Sequence, residues 1–296
     1  MTAEEILQLT PQARSWLRGE AESRGQSAAE VLGSLVEERA ASTPASFPLS
    51  PDQLEQYRRD GYLLVSGLIP DGAAARAEEA MWRCIGCDPE NPPSSWEGVP
   101  GDLRLYNDPD LKNCFTPDVL AAAAQITGDD LSTFSKSDTH PKTWHTATYL
   151  EAEAAGEDLS RFYRWDCAYA INIMPGKGDG GDHPHIDHSM GDHHHRTFPP
   201  VFRLGTLIFL NDVAPNGGGT RVWPGSHRVF EELARRSPRR YEWRSAFMED
   251  MAGIDPGEPL SLTISRGDVL FLHHLLAHAG SFNAGDRPRF ALNMKW

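Results

Sequence analysis

At 296 residues, the chain is long enough to bury a substantial core, as one large domain or two small ones. Its formal net charge is −14, from 28 Lys and Arg against 42 Asp and Glu. Nucleic-acid binding by counterion release needs clustered cations, so this balance argues against nucleic acid and for a small-molecule partner.

The start, Met-Thr-Ala-Glu-Glu, lacks the basic and apolar regions of a secretory signal. No run of about 18 apolar residues marks a membrane span, so a soluble cytoplasmic protein without a membrane partner is expected. Residues 1–42 read as a helical arm. Ala13, Trp16, Leu17 and Ala21 fall at helical spacing, and Ser27 to Glu30 form a capping box before Leu32, Leu35 and Val36. Two short helices separated by Gly25 are expected, and their excess of Glu over Arg favours a packing or homodimerisation segment over a DNA-binding one.

The stretch "STPASFPLSP" (residues 42–51) is a Pro/Ser-rich linker, after which Ser50 as N-cap and Pro51 at the first helical position open the main domain, residues 43–296. Helical patterns such as "GAAARAEEAMWRC" and "PDVLAAAAQI" run to about residue 127. The C-x-x-C of Cys84 and Cys87 has no second close pair to complete a zinc site, so reduced structural thiols are expected. Beyond residue 160 the runs "CAYAINIM", "LGTLIFLNDV", "LSLTISRGDVLFLHH" and "FALNMKW" are short, apolar or alternating, and bounded by turn residues. They predict a sandwich or barrel whose interior can hold a small site.

That half contains "GDHPHIDHSMGDHHHR", residues 181–196. His185 and Asp187 lie two apart, so in an extended segment both side chains point to one face and can chelate one ion. A third ligand must come from elsewhere, and "GDVLFLHHLLAHAGSFN" supplies His273, His274 and His278. Two His and one carboxylate form the face used by non-haem Fe(II) oxygenases, which leaves adjacent positions open for cosubstrate and O₂. The intact Asp187 points away from a halogenase, where that position is opened for halide. His193, His194 and His195 are consecutive and cannot converge on one point, so a solvated loop is expected for them. His183 and His188 stay open, as facing metal, substrate or water. A cupin-type metalloenzyme using His183 and His185, and a noncatalytic His-rich metal-binding protein, are the alternatives.

Four stretches together resemble the phytanoyl-CoA dioxygenase (PhyH) family of Fe(II)/2-oxoglutarate oxygenases. They are "LSPDQLEQYRRDGYLLVSGLIP", "HPHIDH", "NGGGTRVWPGSH" and "RGDVLFLHHLLAHAGSFNAGDRPRFALN", in family order across residues 49–296. The resemblance implies a mainly β protein with flanking helices, a double-stranded β-helix or jelly-roll barrel carrying the N-terminal arm as an extra. It implies Fe(II) on His185, Asp187 and His278, with 2-oxoglutarate and O₂ as cosubstrates. It places the far carboxylate of 2-oxoglutarate on Arg289, eleven residues after His278, with Arg287 as runner-up. Ser281, Thr206 and Asn172 are further candidates for hydrogen-bonding the cosubstrate, and His227 of "PGSH" is expected to be structural. Residues 137–165 look like an insertion that would shape the substrate pocket, where Trp144, Tyr149, Phe162, Trp165 and Trp223 could supply an aromatic lining. The implied reaction is oxidation, by default hydroxylation, of an unactivated C–H in a small metabolite or natural-product intermediate, with release of succinate and CO₂.

Overall fold

The computed structural model describes residues 48–99, 102–103, 108–128, 169–178, 180, 183–187, 203–237, 240–242 and 244–296. In the segment before these it describes residues 15, 17–19, 21 and 24–31. The chain divides into two compact units, Met1–Phe47 and Pro48–Trp296, and the division falls inside the Pro/Ser-rich stretch. In the first unit residues 17–19 and 28–31 are helical and Gly25 is left-handed. The Glu30 N–H donates to Ser27 Oγ while the Ser27 N–H donates to Glu30 Oε2, the reciprocal capping expected from the sequence. Leu17, Ala21 and Val31 bury against one another.

The second unit opens with helix α1 (Pro51–Asp60). Ser50 accepts from the Gln53 N–H, Gln53 returns the bond, and Pro51 fills the first turn, where no N–H is needed. Gly61 ends the helix at φ 78°, with its N–H on Tyr57 O. A Cβ at Gly61 would stand 2.3 Å from His227 Nδ1, so both backbone angle and space require glycine. There follow β1 (Tyr62–Val65), α2 (Asp71–Ile85), β2 (Asp102–Leu103), α3 (Pro109–Lys112), α4 (Pro117–Thr127), β3 (Tyr169–Ile173), β4 (Leu204–Phe209) and β5 (Thr220–Val222). The chain continues through α5 (Ser226–Arg236), α6 (Arg244–Met251), β6 (Leu260–Ser261), β7 (Val269–His273), β8 (His278–Gly280) and β9 (Arg289–Lys295). The expected insertion at 137–165 lies outside the described residues.

The larger sheet is antiparallel in the order β1-β7-β4-β9-β3-β2, and the smaller one is ordered β6-β5-β8. Period-two alternation divides each strand between two cores. Leu63, Phe271, Ile208, Phe290 and Leu292 turn outward and bury against the Ala74, Ala77 and Met81 stripe of α2 and the alanines of α4. Leu207, Phe209, Leu270, Leu272 and Ala291 turn inward and meet Val222, Ile264 and Leu276 from the smaller sheet side. On that sheet's outer side, Ala277 and Ala279 pack beneath Phe230 of α5 and Phe247 of α6. Two antiparallel sheets around an apolar interior, with helices on the outside, make the jelly roll expected from the sequence. Among the described residues no helix is long and apolar enough to cross a membrane.

Where β7 ends, three histidines stack. The rings of His273 and His274 lie 4.4 Å apart, and His227 of α5 sits 5.0 Å from His273. His227 Nε2 contacts Arg58 O at 3.2 Å; a carbonyl only accepts, so this nitrogen carries the proton. Burial holds His273 down at about 3 and His274 at about 4, from an ordinary value of 6.5, so both are neutral when folded at neutral pH. Below pH 6.5 the unfolded chain takes up protons that the folded chain refuses, and stability is lost as pH falls through that window. The thermal midpoint is therefore expected to drop between pH 7.5 and pH 5. A His273→Asn/His274→Gln variant should show a shallower drop, and equal slopes would contradict the assignment.

Candidate metal centre

Two segments far apart in sequence meet through one antiparallel bridge. The His185 N–H donates to His278 O at 3.0 Å and the His278 N–H donates to His185 O at 2.9 Å. Directly opposed residues turn their side chains to the same face, and the two rings lie 4.5 Å apart. Asp187, two residues on from His185, brings its carboxylate to the same point. Ligand atoms of His185, Asp187 and His278 all lie within 4.8 Å of one another, close enough to hold one ion. Among the described residues no other such group of three forms.

The distal histidine is set on β8 by the "PGSH" turn. Gly225, at φ 82°, donates its N–H to Asp60 O, and the buried Ser226 hydroxyl accepts the Ala277 N–H at 3.0 Å, one residue before His278. His278 Nδ1 lies 3.0 Å from Leu276 O and so carries the ring proton, which leaves Nε2 free to ligate. Burial also lowers the His278 pKa, opposed in part by that carbonyl, so the ring is neutral as a metal ligand must be. His278 Nε2 stands 3.5 Å from Asp187 Oδ1, while the other carboxylate oxygen, Oδ2, contacts the Lys295 ammonium. His273 and His274, the other two candidates for the distal ligand, belong to the stack with His227.

Arg289 begins β9 opposite Ile173 and is 4 % exposed. Its Nε–H donates to Gly218 O at 3.2 Å, and its Nη1 is buried with no hydrogen-bond partner among the described residues. Gly218, at φ 81°, places that carbonyl: a Cβ there would stand 3.0 Å from Ile173 and 3.1 Å from Asn283. Asn283 in turn holds the loop leading to Arg289, its amide donating to Ile173 O and Arg287 O. Burial pushes the guanidinium down to about 10, and a buried cation with an unmet donor calls for an anion. Gly280, two residues past His278 on β8, faces this guanidinium, with its would-be Cβ 4.0 Å from Nη2. The gap from metal ligands to guanidinium is thus two strand residues, roughly 7 Å. A five-carbon dicarboxylate bridges that span, so the residues present fit both iron and 2-oxoglutarate. Arg287, the runner-up, is exposed, donates to Pro89 O at 2.9 Å and stacks over Trp82.

The other sequence candidates fall differently. Thr206 stands opposite Phe271 and Met294, and Asn172 opposite Phe290, all on the helix-facing side of the large sheet. Thr206 Oγ1 accepts from Trp296 Nε1 there. Alternation turns both residues away from Arg289, and the structure does not bring them to the site. Ser281 is half-buried just past β8 with its N–H on Gly219 O, and the residue of that segment against the guanidinium is Gly280. His183 is exposed, Cys84, Cys87 and Cys114 are free thiols, and His227 is buried on Arg58 O as a structural histidine. His188, His193, His194, His195, Trp144, Tyr149, Phe162 and Trp165 lie outside the described residues.

Sequence reasoning missed three residues. Lys295 sits six residues beyond Arg289 on the same face of β9, and the even spacing within a strand was the signal that could have found it. Thr220 stands opposite Gly280 on the ligand side of the small sheet and is buried. Gly205 faces Lys295 across β4 and β9; a Cβ there would lie 3.6 Å from Lys295 Nζ and 3.8 Å from Asp187 Oδ2.

Residues 57–291 match the family model described as phytanoyl-CoA dioxygenase (PhyH). The chain is 24% identical over 226 residues to an ectoine dioxygenase of Streptomyces avermitilis, covering 75% of this chain and 66% of that relative. The fold is similar to the crystal structure of EvdO2 from Micromonospora carbonacea var. aurantiaca, with TM-score 0.50, 15% identity, and 83% and 90% of the two chains covered. It is also similar to AviO1 from Streptomyces viridochromogenes Tue57, with TM-score 0.48, 15% identity, and 85% and 97% covered. With the ligand set, the buried Arg289 and the jelly roll in place, the match decides the family: the chain belongs to the phytanoyl-CoA dioxygenase family of non-haem iron, 2-oxoglutarate-dependent dioxygenases.

Proposed function

We propose that this protein hydroxylates an unactivated C–H of a small free metabolite or natural-product intermediate. The reaction consumes one O₂ and one 2-oxoglutarate and releases succinate and CO₂, with one oxygen atom in the product alcohol and one in succinate. The observation that carries the reading is the pairing of a two-His-one-carboxylate set with an unmet buried guanidinium two strand residues away. Iron, when bound, supplies activation of O₂ coupled to decarboxylation of the keto acid. His185, Asp187 and His278 hold it. Arg289 takes the far carboxylate and fixes the cosubstrate's direction, and Leu207, Leu270 and Leu272 line the interior and exclude water.

Two observations favour a small free substrate over an acyl-CoA. The net charge of −14 disfavours docking a polyphosphate carrier, and the ectoine dioxygenase relative is named for a small molecule.

Full-length protein loaded with Fe(II) and titrated anaerobically with 2-oxoglutarate should bind one iron per chain and develop the charge-transfer absorbance of a chelated keto acid. A screen of candidate metabolites should find one that stimulates succinate release, and His185→Ala or Asp187→Ala should abolish it. Several irons per chain with no keto-acid band would instead indicate a noncatalytic metal-binding protein.

Arg289→Ala removes one partner of a buried charge pair, so affinity for 2-oxoglutarate should fall by roughly 30-fold or more. Iron stoichiometry should not change. An unchanged 2-oxoglutarate titration would remove Arg289 from the site.

A further inference from the structure

Asp187 presents two chemically equivalent oxygens to two different neighbours. Oδ1 faces the ligating nitrogen of His278 at 3.5 Å, and Oδ2 is in contact with Lys295 Nζ. Lys295 is 3 % exposed and reaches the carboxylate along the inward face of β9, the face that also carries Arg289. A buried lysine is costly unless it is paired, and its partner here is a carboxylate that a metal would share. Gly205, opposite Lys295, adds no side chain beside the pair; a Cβ in its place would stand in ordinary contact, 3.6 Å from Nζ and 3.8 Å from Oδ2. The residues that follow Gly205 inward on β4, Leu207 and Phe209, are apolar and bulky.

We propose that Lys295 is a positioning residue for the metal centre, holding Asp187 Oδ2 so that the carboxylate ligates through Oδ1 alone. This rests on His185, Asp187 and His278 being the ligand set. A carboxylate that binds through both oxygens takes two coordination positions. With the two histidines it would leave an octahedral ion two open positions where keto acid and O₂ together need three. By keeping Oδ2 occupied, Lys295 preserves the third. Its ammonium also balances the one negative charge of the ligand set, and so offsets the cost of carrying that carboxylate in a largely apolar interior. The part assigned to Lys295 is therefore selective: it governs room for the cosubstrate at the metal more than affinity for the metal.

The test compares wild type, Lys295→Met, which keeps the stem and loses the cation, and Lys295→Gln, which keeps an N–H donor near the ammonium position. Full-length proteins are titrated anaerobically with Fe(II), then with 2-oxoglutarate at saturating iron, reading the charge-transfer band; Co(II)-loaded samples report coordination number by visible absorption. Lys295→Met should retain one metal per chain, weaken 2-oxoglutarate chelation about 10- to 100-fold, the range for loss of an outer partner of a ligand, and shift the Co(II) spectrum. Lys295→Gln should lie between the two.

Equal 2-oxoglutarate affinity and an unchanged Co(II) spectrum in Lys295→Met would overturn the proposal. A parallel loss of metal and keto acid, which a merely structural lysine would cause, would overturn it too. Melting of the metal-free proteins checks folding, and if Lys295→Met does not fold, the Gln variant decides by the same criteria. Failure of wild type itself to bind iron at one per chain would instead sink the ligand assignment beneath it.

Discussion

The pair of backbone hydrogen bonds between His185 and His278 is the constraint on which the centre depends. It joins the H-x-D segment to the free edge of β8 and sets the two imidazoles on one face. Alternation then delivers Asp187 to the same side without further instruction. Everything that fixes β8 therefore fixes the candidate metal centre: the Ser226 hydroxyl on the Ala277 N–H, the pairing of Val222 with His278, and the Leu276 carbonyl that sets the His278 tautomer. A histidine-rich stretch of sequence contributes a directed pair because His185 is tied into a sheet. On His278 the Leu276 carbonyl commits Nδ1 and leaves Nε2 to face Asp187.

Charge organises the interior as firmly as packing does. The barrel buries two basic side chains, Arg289 and Lys295, on one face of one strand, with Asn293 between them and leucine, phenylalanine and alanine around. Neither would be tolerated there as an isolated ion. Lys295 is met by the carboxylate of the ligand set, whereas Arg289 has a single carbonyl on Nε and an unmet Nη1. That asymmetry separates what the protein completes internally from what it leaves for an anionic cosubstrate. Glycines recur at the same places: Gly205 across from Lys295, Gly280 beside Arg289, and Gly218, where a Cβ would press on Ile173 and Asn283.

Much of this was legible in the chain itself, and its limits are physical. The spacing of His185 and Asp187, the turn chemistry of "PGSH" and the choice of Asp over Ala at 187 are local features whose meaning survives any reasonable fold. The family resemblance put the far carboxylate on Arg289 with Arg287 as runner-up, and in the fold Arg289 is buried while Arg287 lies outside on Trp82. Thr206 and Asn172 show where local reading stops. Each lies in a strand of the site's sheet, but which face a strand residue takes depends on register, and a shift of one position reverses it. Phe290 and Met294 turn outward to the helices and carry Asn172 and Thr206 with them.

Local order in the chain was enough to single out the class of chemistry and the His185–Asp187 pair as a candidate chelate, because two-residue spacing in an extended segment and the residue types that iron prefers need no tertiary information. It also determined the helix starts at Ser50 and Ser27, where capping is settled within four residues. Strand pairing settles which histidine of His273, His274 and His278 meets the pair, which polar strand residues face the interior, and that Lys295 reaches Asp187 from 108 residues away. Those outcomes depend on strand order and register in two facing sheets. Such long-range pairings are set by the collective burial of the alternating faces and by no single residue's preference.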